Sequence, residues 1–292
     1  VISKLERLIL ECSVLNPWPS SKLEDLIHIG LRFVDKNENK KETPNENENP
    51  NLPIQTPNEN PILPIQTPKL KTMSIYSCPL LDVFTKITAI NKNITELNKL
   101  RLIDVGKLKS IGSGDEPGLD KICEKLNELG VIHCPDFTAL LQSNSSVSFS
   151  NLKELFIDKC EKLEYLFTSS AAKELTKLEQ IQVSNCKSIK EIVAEEQDET
   201  ASGEIKLLEQ LSYILLYNLS SLECFYSGNQ PLQLPSLVQV DIDTCPKMEI
   251  FSKGEIDPIS FREITTWADP NERWIVFHDD LNCSVKKVFL HQ

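Results

Sequence analysis

The sequence lacks the features of several protein classes. No apolar run approaches the roughly 20 residues that an α-helix needs to cross a bilayer. The opening apolar stretch is interrupted by Lys4, Glu6 and Arg7, which a signal peptide would not tolerate. Positive charge is in deficit, with 31 Lys and Arg against 43 Asp and Glu and a net charge of −12. Because an acidic protein repels phosphate, we expect no nucleic acid ligand. The lack of a long apolar run predicts no membrane span.

The motifs of common catalytic and metal sites are also missing. The sequence has no G-x-x-x-x-G-K-[ST], no G-x-G-x-x-G opening a helix, no H-E-x-x-H and no C-x-x-C. Cys123, His133 and Cys134 form the nearest metal-like group, but the repeat described below accounts for two of them. The adjacent carboxylates Asp241 and Asp243 lie on an open strand face, which does not desolvate them for acid–base work. We therefore expect no enzyme activity and no metal.

A repeat of 26 residues organises the chain. From Leu152, apolar residues fall at +3, +5, +11 and +14 with Cys160 at +8, and the same offsets hold from Leu178 with Cys186 at +8. This period is typical of a solenoid, and the spacing L-x-x-L-x-L-x-x-C/N is typical of a leucine-rich repeat. The sequence predicts an α/β solenoid: a curved repeat array with a parallel β-sheet on its concave face and short helices or loops on its convex face.

Each repeat is expected to begin with a strand that has one buried face, because apolar and polar residues alternate there. The +8 residue lies where the chain turns inward, so it must be small and must bond backbone groups that the turn leaves unpaired. A cysteine fits as a small, buried, weak donor. Free buried thiols suit a reducing compartment. Five cysteines share this position and are predicted to be structural: Cys78, Cys134, Cys160, Cys186 and Cys245.

The pattern divides the chain into four parts. Residues 1–35 hold degenerate N-terminal repeats, of which 4–10 fit a strand well and 21–31 less well. Residues 36–68, rich in Asn, Pro and Glu, have too little apolar area to offset their ordering entropy and are predicted to be a disordered insert. Residues 69–266 hold regular repeats. Strand starts are expected at Leu70, Leu97, Leu126, Leu152, Leu178, Leu211, Leu237 and Phe261.

The remaining segment, 267–292, abandons the repeat and is predicted to be a C-terminal cap. Trp267, Trp274 and Phe277 can cover the open end of the core, although the same aromatic side chains could form a binding patch instead. Short convex helices are expected at Leu119–Asn127 and Ser169–Lys177. Because the first residue falls within a repeat strand, we expect the sequence to be part of a longer protein.

Four N-x-S/T sequons occur, at Asn93, Asn144, Asn218 and Asn282. Asn, Ser and Thr are abundant in this chain, so we interpret the sequons as chance occurrences. Glycosylation would require secretion, for which the sequence offers no signal.

The candidate site is the outward side of the strands. Repeat solenoids generally bind through this face, and aromatic residues without a core position are common interface anchors. Basic residues favour the N-terminal end of the face and acidic residues the C-terminal end. The predicted protein-binding residues are Tyr76, Lys99, Arg101, Lys153, Glu154, Phe156, Asp158, Gln180, Gln182, Tyr213, Leu215, Tyr217, Gln239, Asp241 and Asp243.

Residues 147–193 carry a more specific signature. They read S-F-x-N-L-x-x-L-x-I-x-x-C-x-x-L-x-x-L-F, then a Ser/Ala/Lys stretch, then L-x-x-L-x-I-x-x-C-x-x-I-x-E-I-V. This resembles the C-terminal leucine-rich repeats of plant coiled-coil, nucleotide-binding disease-resistance proteins. Similar text continues from about residue 70 to the end of the chain, whereas the insert has no counterpart in the family pattern.

The resemblance implies a cytoplasmic, nuclear or membrane-peripheral immune receptor. Its repeats would sense a pathogen effector or an altered host protein and would restrain an upstream nucleotide-binding domain. ADP or ATP is expected only in that upstream part, and no cofactor in this chain. The alternative is an F-box substrate adaptor, although those repeats usually continue with I-T/S-D-x-G-L. An extracellular receptor array would call for L-x-G-x-I-P motifs, which are absent.

Overall fold

The computed structural model of the chain describes residues 7–11, 71–76, 97–111, 122–141, 147–196, 205–257, 263–269, 272–276 and 280–291. These residues form a parallel β-solenoid with little helix. The strands are β1 (Arg7–Glu11), β2 (Thr72–Tyr76), β3 (Lys99–Ile103), β4 (Glu128–Ile132), β5 (Glu154–Asp158), β6 (Phe167–Thr168), β7 (Gln180–Ser184), β8 (Glu191–Ala194), β9 (Ile205–Lys206), β10 (Tyr213–Tyr217), β11 (Cys224–Tyr226), β12 (Leu232–Gln233), β13 (Gln239–Asp243), β14 (Ile256–Asp257), β15 (Glu263–Asp269) and β16 (Glu272–Val276). The helices are α1 (Ser169–Glu174) and α2 (Leu281–His291).

One ten-stranded sheet runs through the molecule in the order β1-β2-β3-β4-β5-β7-β10-β13-β15-β16. All of its pairs are parallel except the last, in which β16 returns antiparallel to β15. β1 pairs directly with β2, Leu8 opposite Met73, although residues 12–71 separate the two strands in the sequence. The predicted fragment at 21–31 and the insert at 36–68 lie outside the described residues.

The burial of the strands confirms the predicted solenoid and its register. In β5, Leu155 and Ile157 are no more than 1% exposed, whereas the alternate residues Glu154, Phe156 and Asp158 are half-buried. The same alternation recurs in β7, β10 and β13. Residues at the same offset lie opposite each other in adjacent strands, as Leu155 does with Ile181. Each coil therefore buries its apolar side against the coils beside it.

In six successive coils, the residue after the main-sheet strand has a left-handed backbone conformation. Asp104, His133, Lys159, Asn185, Asn218 and Thr244 all have φ between 53° and 60°, and each precedes the +8 position. This conformation turns the chain from the sheet into the core. For an L-residue it costs roughly 1 kcal/mol, and Asn or Asp adopts it most readily.

A cysteine holds the +8 position in four of the described coils. Cys134, Cys160, Cys186 and Cys245 are buried, and each thiol lies within 3.2–3.8 Å of a backbone carbonyl that it can donate to. Burial raises the pKa of Cys134 and Cys245 to about 12, so both remain neutral thiols. Cys78 lies outside the described residues.

Polar side chains at this turn form hydrogen bonds from one coil to the next. Asn185 donates to the Asp158 carboxylate at 2.7 Å, and Asn218 donates to the Asn185 side-chain oxygen at 2.8 Å. Asn218 belongs to one of the sequons, yet in the fold its amide is bonded to the neighbouring coil. These bonds link three successive coils through one column of side chains.

The side of the solenoid away from the main sheet contains more strand than the sequence predicts. Two three-stranded parallel sheets, β6-β8-β11 and β9-β12-β14, lie there. The predicted helix at Ser169–Lys177 is present as α1, which ends at Glu174. At Leu119–Asn127 the described part, 122–127, holds one helical turn.

Helix α2 packs on the C-terminal end of the array. Its residues Leu281, Val285 and Val288 are buried in the same core as the repeats. Asn282 joins the helix to the last back turn: its side-chain oxygen accepts from the backbone N–H groups of Phe251 and Ser252, and its amide donates to the Ser252 carbonyl. The side chain of the Asn282 sequon is therefore engaged in hydrogen bonds within the fold. The side chains of Trp267, Trp274 and Phe277 lie outside the described residues, so their covering role stays a prediction.

Leu155→Asp and Phe156→Asp test the inward and outward assignment with the same new side chain. At Leu155 the carboxylate would enter the stacked core, so we expect a loss of more than about 4 kcal/mol and local unfolding. At Phe156 we expect about 1 kcal/mol or less, because the position is half-exposed. Hydrogen exchange of the β4, β5 and β7 amides measures both, and a larger effect at Phe156 would reverse the assignment.

Thr244→Asn tests the turn. Thr244 is β-branched at a left-handed position that two earlier coils fill with Asn. Asparagine tolerates this φ better and could donate to Asn218, so we expect the free energy of unfolding to rise by about 1 kcal/mol. The reciprocal change Asn185→Thr should lower it by at least as much, since it also removes the bond to Asp158. Thermal unfolding of both variants decides, and equal signs would contradict this account of the turn.

Candidate protein-binding face

The side of the ten-stranded sheet that points away from the core, here named the open face, carries three columns of side chains. The strands are in register, so the first, third and fifth residues of each strand line up with those of its neighbours. Neighbouring side chains in a column are about 4.8 Å apart. From β2 to β13 the columns read Thr72–Lys99–Glu128–Glu154–Gln180–Tyr213–Gln239, Ser74–Arg101–Gly130–Phe156–Gln182–Leu215–Asp241 and Tyr76–Ile103–Ile132–Asp158–Ser184–Tyr217–Asp243.

The N-terminal part of the open face is organised by Glu128. Its carboxylate accepts from Lys99 at 2.6 Å and from Arg101 at 2.9 Å. The Glu128 side chain is 7% exposed, whereas those of Lys99 and Arg101 are each 50% exposed. Two cations of the predicted basic end are therefore paired within the chain, which leaves less free positive charge than the sequence suggests.

The Glu128 pairs shift two pKa values. Burial alone would raise the pKa of Glu128, but the hydrogen bonds and charges of Lys99 and Arg101 outweigh it and hold this pKa below its ordinary value. The hydrogen bond to Glu128 raises the pKa of Lys99. Glu128 and Lys99 are therefore both charged at neutral pH.

Gly130 makes room for this cluster. A side chain there would begin 3.3 Å from the Arg101 Cγ atom, so the Arg101 stem lies over the glycine. Arg101 and Phe156 are the two neighbours of Gly130 in its column, one on each side. Because Gly130 has no side chain, the aliphatic stem of Arg101 can lie next to the Gly130 backbone.

The C-terminal part of the open face combines carboxylates with neutral donors. The Tyr213 hydroxyl donates to Asp241 at 2.8 Å, and the Gln239 amide donates to the same carboxylate at 2.9 Å. Asp158 accepts from Ser184 and Asn185, each at 2.7 Å. These donors orient the carboxylates without neutralising them. Lys153, just before β5, pairs instead with Glu179 at 2.7 Å.

Two large apolar side chains are exposed at this end. Tyr217 is 43% exposed and Val238 is 36% exposed, the two largest such exposures among the described residues. Leu215 is half-buried, two residues before Tyr217 on the same strand. An exposed aromatic ring beside an aliphatic side chain such as Leu215 is the kind of anchor that protein interfaces use.

Fourteen of the fifteen predicted residues lie in the three columns, and Lys153 lies one position before its strand. The structure brings Lys99 together with Arg101, and Tyr213 together with Gln239 and Asp241. It gives Asp158 a role in the turn to the next coil. Sequence reasoning missed Glu128, although its offset of +2 from Leu126 equals that of Glu154 from Leu152. Binding by these residues stays a prediction.

Other kinds of site receive little support from the described residues. A surface cavity of about 330 Å³ lies on the back of the solenoid, between Lys190, Glu191, Glu223 and Lys253. No group of three or more His, Cys, Asp or Glu in the described ranges could hold a metal ion. Within the same ranges, no helix is long and apolar enough to cross a membrane.

Residues 141–253 match the family described as plant disease resistance protein RPS2-like, leucine-rich repeats. Over this segment the chain is similar to the leucine-rich repeats of that family. No curated protein matches the chain. The matched segment contains β5 to β13, and with them the C-terminal part of the open face. Leucine-rich repeat domains mediate protein interactions and are typically non-catalytic.

Glu128→Gln tests the charge cluster of Glu128, Lys99 and Arg101. Neutral glutamine leaves Lys99 and Arg101 without an anion, so we expect a loss of about 1 kcal/mol at pH 7. Glu154→Gln is the matched control, since Glu154 lies opposite Glu128 in the next strand and has no ion pair among the described residues. Urea unfolding should show a difference for Glu128→Gln only.

The pH dependence follows from the same pair. Because the pKa of Glu128 is lowered by folding, its contribution is present above the ordinary value of 4.5 and is lost as pH falls through the lowered pKa. The raised pKa of Lys99 gives a contribution that is fully present below the ordinary value of 10.5 and is lost as pH rises through the raised pKa. The stability difference between wild type and Glu128→Gln should therefore shrink at both ends. A constant difference from pH 2 to 7 would contradict this assignment.

Proposed function

We propose that this chain is the ligand-recognition and autoinhibitory leucine-rich repeat region of an intracellular plant immune receptor. The observation that carries the proposal is the position of the family match: the resistance-type segment 141–253 contains the four adjacent strands β5, β7, β10 and β13. Those strands present polar, acidic and aromatic side chains to the outside, and the apolar exposure at Tyr217 and Val238 lies among them.

The open face suits recognition of a protein. Its columns form an extended surface of side chains, on which a partner could contact several strands at once. The partner in this proposal is a pathogen effector, or a host protein that an effector has altered. The chain performs no catalysis itself, and ADP or ATP binds only to an upstream nucleotide-binding part.

Autoinhibition is the second part of the proposal. A repeat array that contacts the upstream domain in its resting state would favour the ADP-bound form, and a partner that competes for this contact would release it. Such coupling between two sites needs only about 1–3 kcal/mol, or a 5- to 150-fold shift in the equilibrium. The paired Lys99–Glu128–Arg101 cluster and the more acidic C-terminal strands offer two different surfaces for these two contacts.

The test uses the full-length gene product expressed in leaves, with cell death as the readout. We expect the double variant Tyr217→Ala/Val238→Ala to accumulate as wild type but to change the immune output, because it removes the two exposed apolar groups. Loss of the response to a pathogen would indicate sensing, and a constitutive response would indicate autoinhibition. The control is Glu249→Ala, an exposed residue outside the columns.

Unchanged output from the double variant would contradict the proposed use of this face. Co-purification of the wild-type product with a ubiquitin-ligase scaffold, through an upstream F-box, would replace the proposal with the substrate-adaptor alternative.

A further inference from the structure

The four strands β5, β7, β10 and β13 differ in charge from the rest of the open face. Each contributes three outward positions, and among these twelve side chains are four carboxylates and no cation. The carboxylates belong to Glu154, Asp158, Asp241 and Asp243. The outward positions of β2, β3 and β4 hold two cations and one carboxylate, and Glu128 pairs with both cations. We name the twelve side chains the acidic block.

The hydrogen bonds inside the acidic block do not remove its charge. Asp158 receives a hydroxyl and an amide, Asp241 receives a hydroxyl and an amide, and Asp243 receives the Thr244 hydroxyl at 3.0 Å. All of these donors are neutral. Asp158, Asp241 and Asp243 are half-buried and held by these bonds, so they present negative charge at defined positions of the sheet. Fixed charges on a surface from which water is partly excluded attract a counter-charge more strongly than mobile ones.

The centre of the acidic block is apolar. Strand β10 turns Tyr213, Leu215 and Tyr217 outward, and Val238 stands just before β13. Asp241 and Asp243 lie directly opposite Leu215 and Tyr217 on the adjacent strand, about 4.8 Å away. On the other side, Glu154 and Asp158 lie two strands away, at about 10 Å. An apolar ridge is thus flanked on both sides by negative charge.

We propose that the acidic block binds a cationic segment of a partner protein, in which Lys or Arg side chains flank an aromatic or aliphatic anchor. This rests on the proposed function, since it assigns the chemistry of the partner at that same face. The anchor contacts Leu215 and Tyr217 on strand β10, and the cations reach the carboxylates on each side. Arginine fits both contacts, because its guanidinium pairs with a carboxylate and stacks on a tyrosine ring. An acidic segment or a nucleic acid backbone would be repelled.

The first test measures binding of labelled peptides to the full 292-residue chain by fluorescence anisotropy. Three peptides of equal length are compared: one with Arg on both sides of a central Phe, one with Glu in place of Arg, and one with Arg but Ser in place of Phe. We expect the Arg–Phe peptide to bind at least tenfold more tightly than either of the others. Equal binding of the Arg–Ser peptide would overturn the role of the apolar ridge, and equal binding of the Glu peptide would overturn the charge assignment.

Isosteric variants locate the site. Each of Asp241→Asn and Asp243→Asn removes one charge and keeps one acceptor oxygen. At position 241 that oxygen can still accept from the Gln239 amide, and the new amide can donate to the Tyr213 hydroxyl oxygen, so the fold should be retained. We expect each to weaken Arg–Phe peptide binding about threefold, since an exposed charge pair contributes roughly 0.2–1 kcal/mol. Tyr217→Ala should weaken it about tenfold or more. Glu209→Gln and Glu249→Gln, exposed acids outside the block, are the controls. Equal loss in the controls would mean that the peptide binds the acidic protein at large, which overturns the proposal.

The native partner is tested in leaves. A photo-crosslinking amino acid replaces Gln182, between Phe156 and Leu215 in the central column, and the crosslinked peptide of the partner is sequenced. We expect Lys or Arg within a few residues of an aromatic or aliphatic crosslink site, and an acidic or uncharged segment would overturn the proposal.

These results are separable from the proposed function. If Asp241→Asn and Asp243→Asn leave the immune output unchanged while Tyr217→Ala/Val238→Ala alters it, the face is functional but its partner is not cationic. If neither pair of variants alters the output, recognition through this face fails as well.

Discussion

In-register stacking of one coil on the next is the constraint on which the rest of this structure depends. A single coil cannot bury its own apolar side, so Leu155 and Ile157 are buried only because the neighbouring coils cover them. The left-handed residue that precedes each +8 position keeps the coils alike, since it turns every strand into the core at the same point. Cysteines and leucines fill the space behind it, and hydrogen bonds such as Asn218 to Asn185 join the turns. The strain at Lys159 or Thr244 persists because stacking over-determines the backbone.

The same stacking decides what the open face can do. Side chains at one offset become neighbours across strands, so a residue that is 26 or more positions away in the sequence becomes an ion-pair partner. Glu128 meets Lys99 and Arg101 in this way, and Lys153 meets Glu179. Where the columns hold carboxylates without cations, as from β5 to β13, negative charge accumulates around Tyr217. The face therefore divides into a part whose cations pair with Glu128 and a part whose outward positions hold carboxylates and no cation.

Much of the fold could be predicted from the sequence because the signal is periodic. The offsets from Leu152 and Leu178 gave the strands, the buried positions and the role of Cys160 and Cys186. The back of the solenoid was harder to predict from the sequence. Short strands such as β6, β8 and β11 hold only two to four residues, too few for a period of two to be recognised. The sequence marks Asn282 only as a sequon. Its bonds to Phe251 and Ser252 could not be predicted, because they depend on how α2 packs against the last coil.

The candidate site was predictable in position but not in its electrostatics. Outward offsets identified Lys99, Arg101, Asp241 and Asp243, yet pairing depends on register between coils that loops of different length separate. Glu128 follows a loop that lengthens the step between two repeats, and its effect on two cations emerges only when β3 and β4 are adjacent. Local spacing alone could not distinguish a paired carboxylate such as Glu128 from Glu154 in the next strand.

The central claim is that these repeats are the recognition region of a resistance receptor. The most direct measurement is to purify the native product from tissue with an antibody against residues 36–68, and to determine its size and its peptides by mass spectrometry. The account predicts a species far larger than 33.1 kDa that contains peptides of a nucleotide-binding domain. A single species near 33.1 kDa, or a larger one that carries an F-box instead, would contradict it.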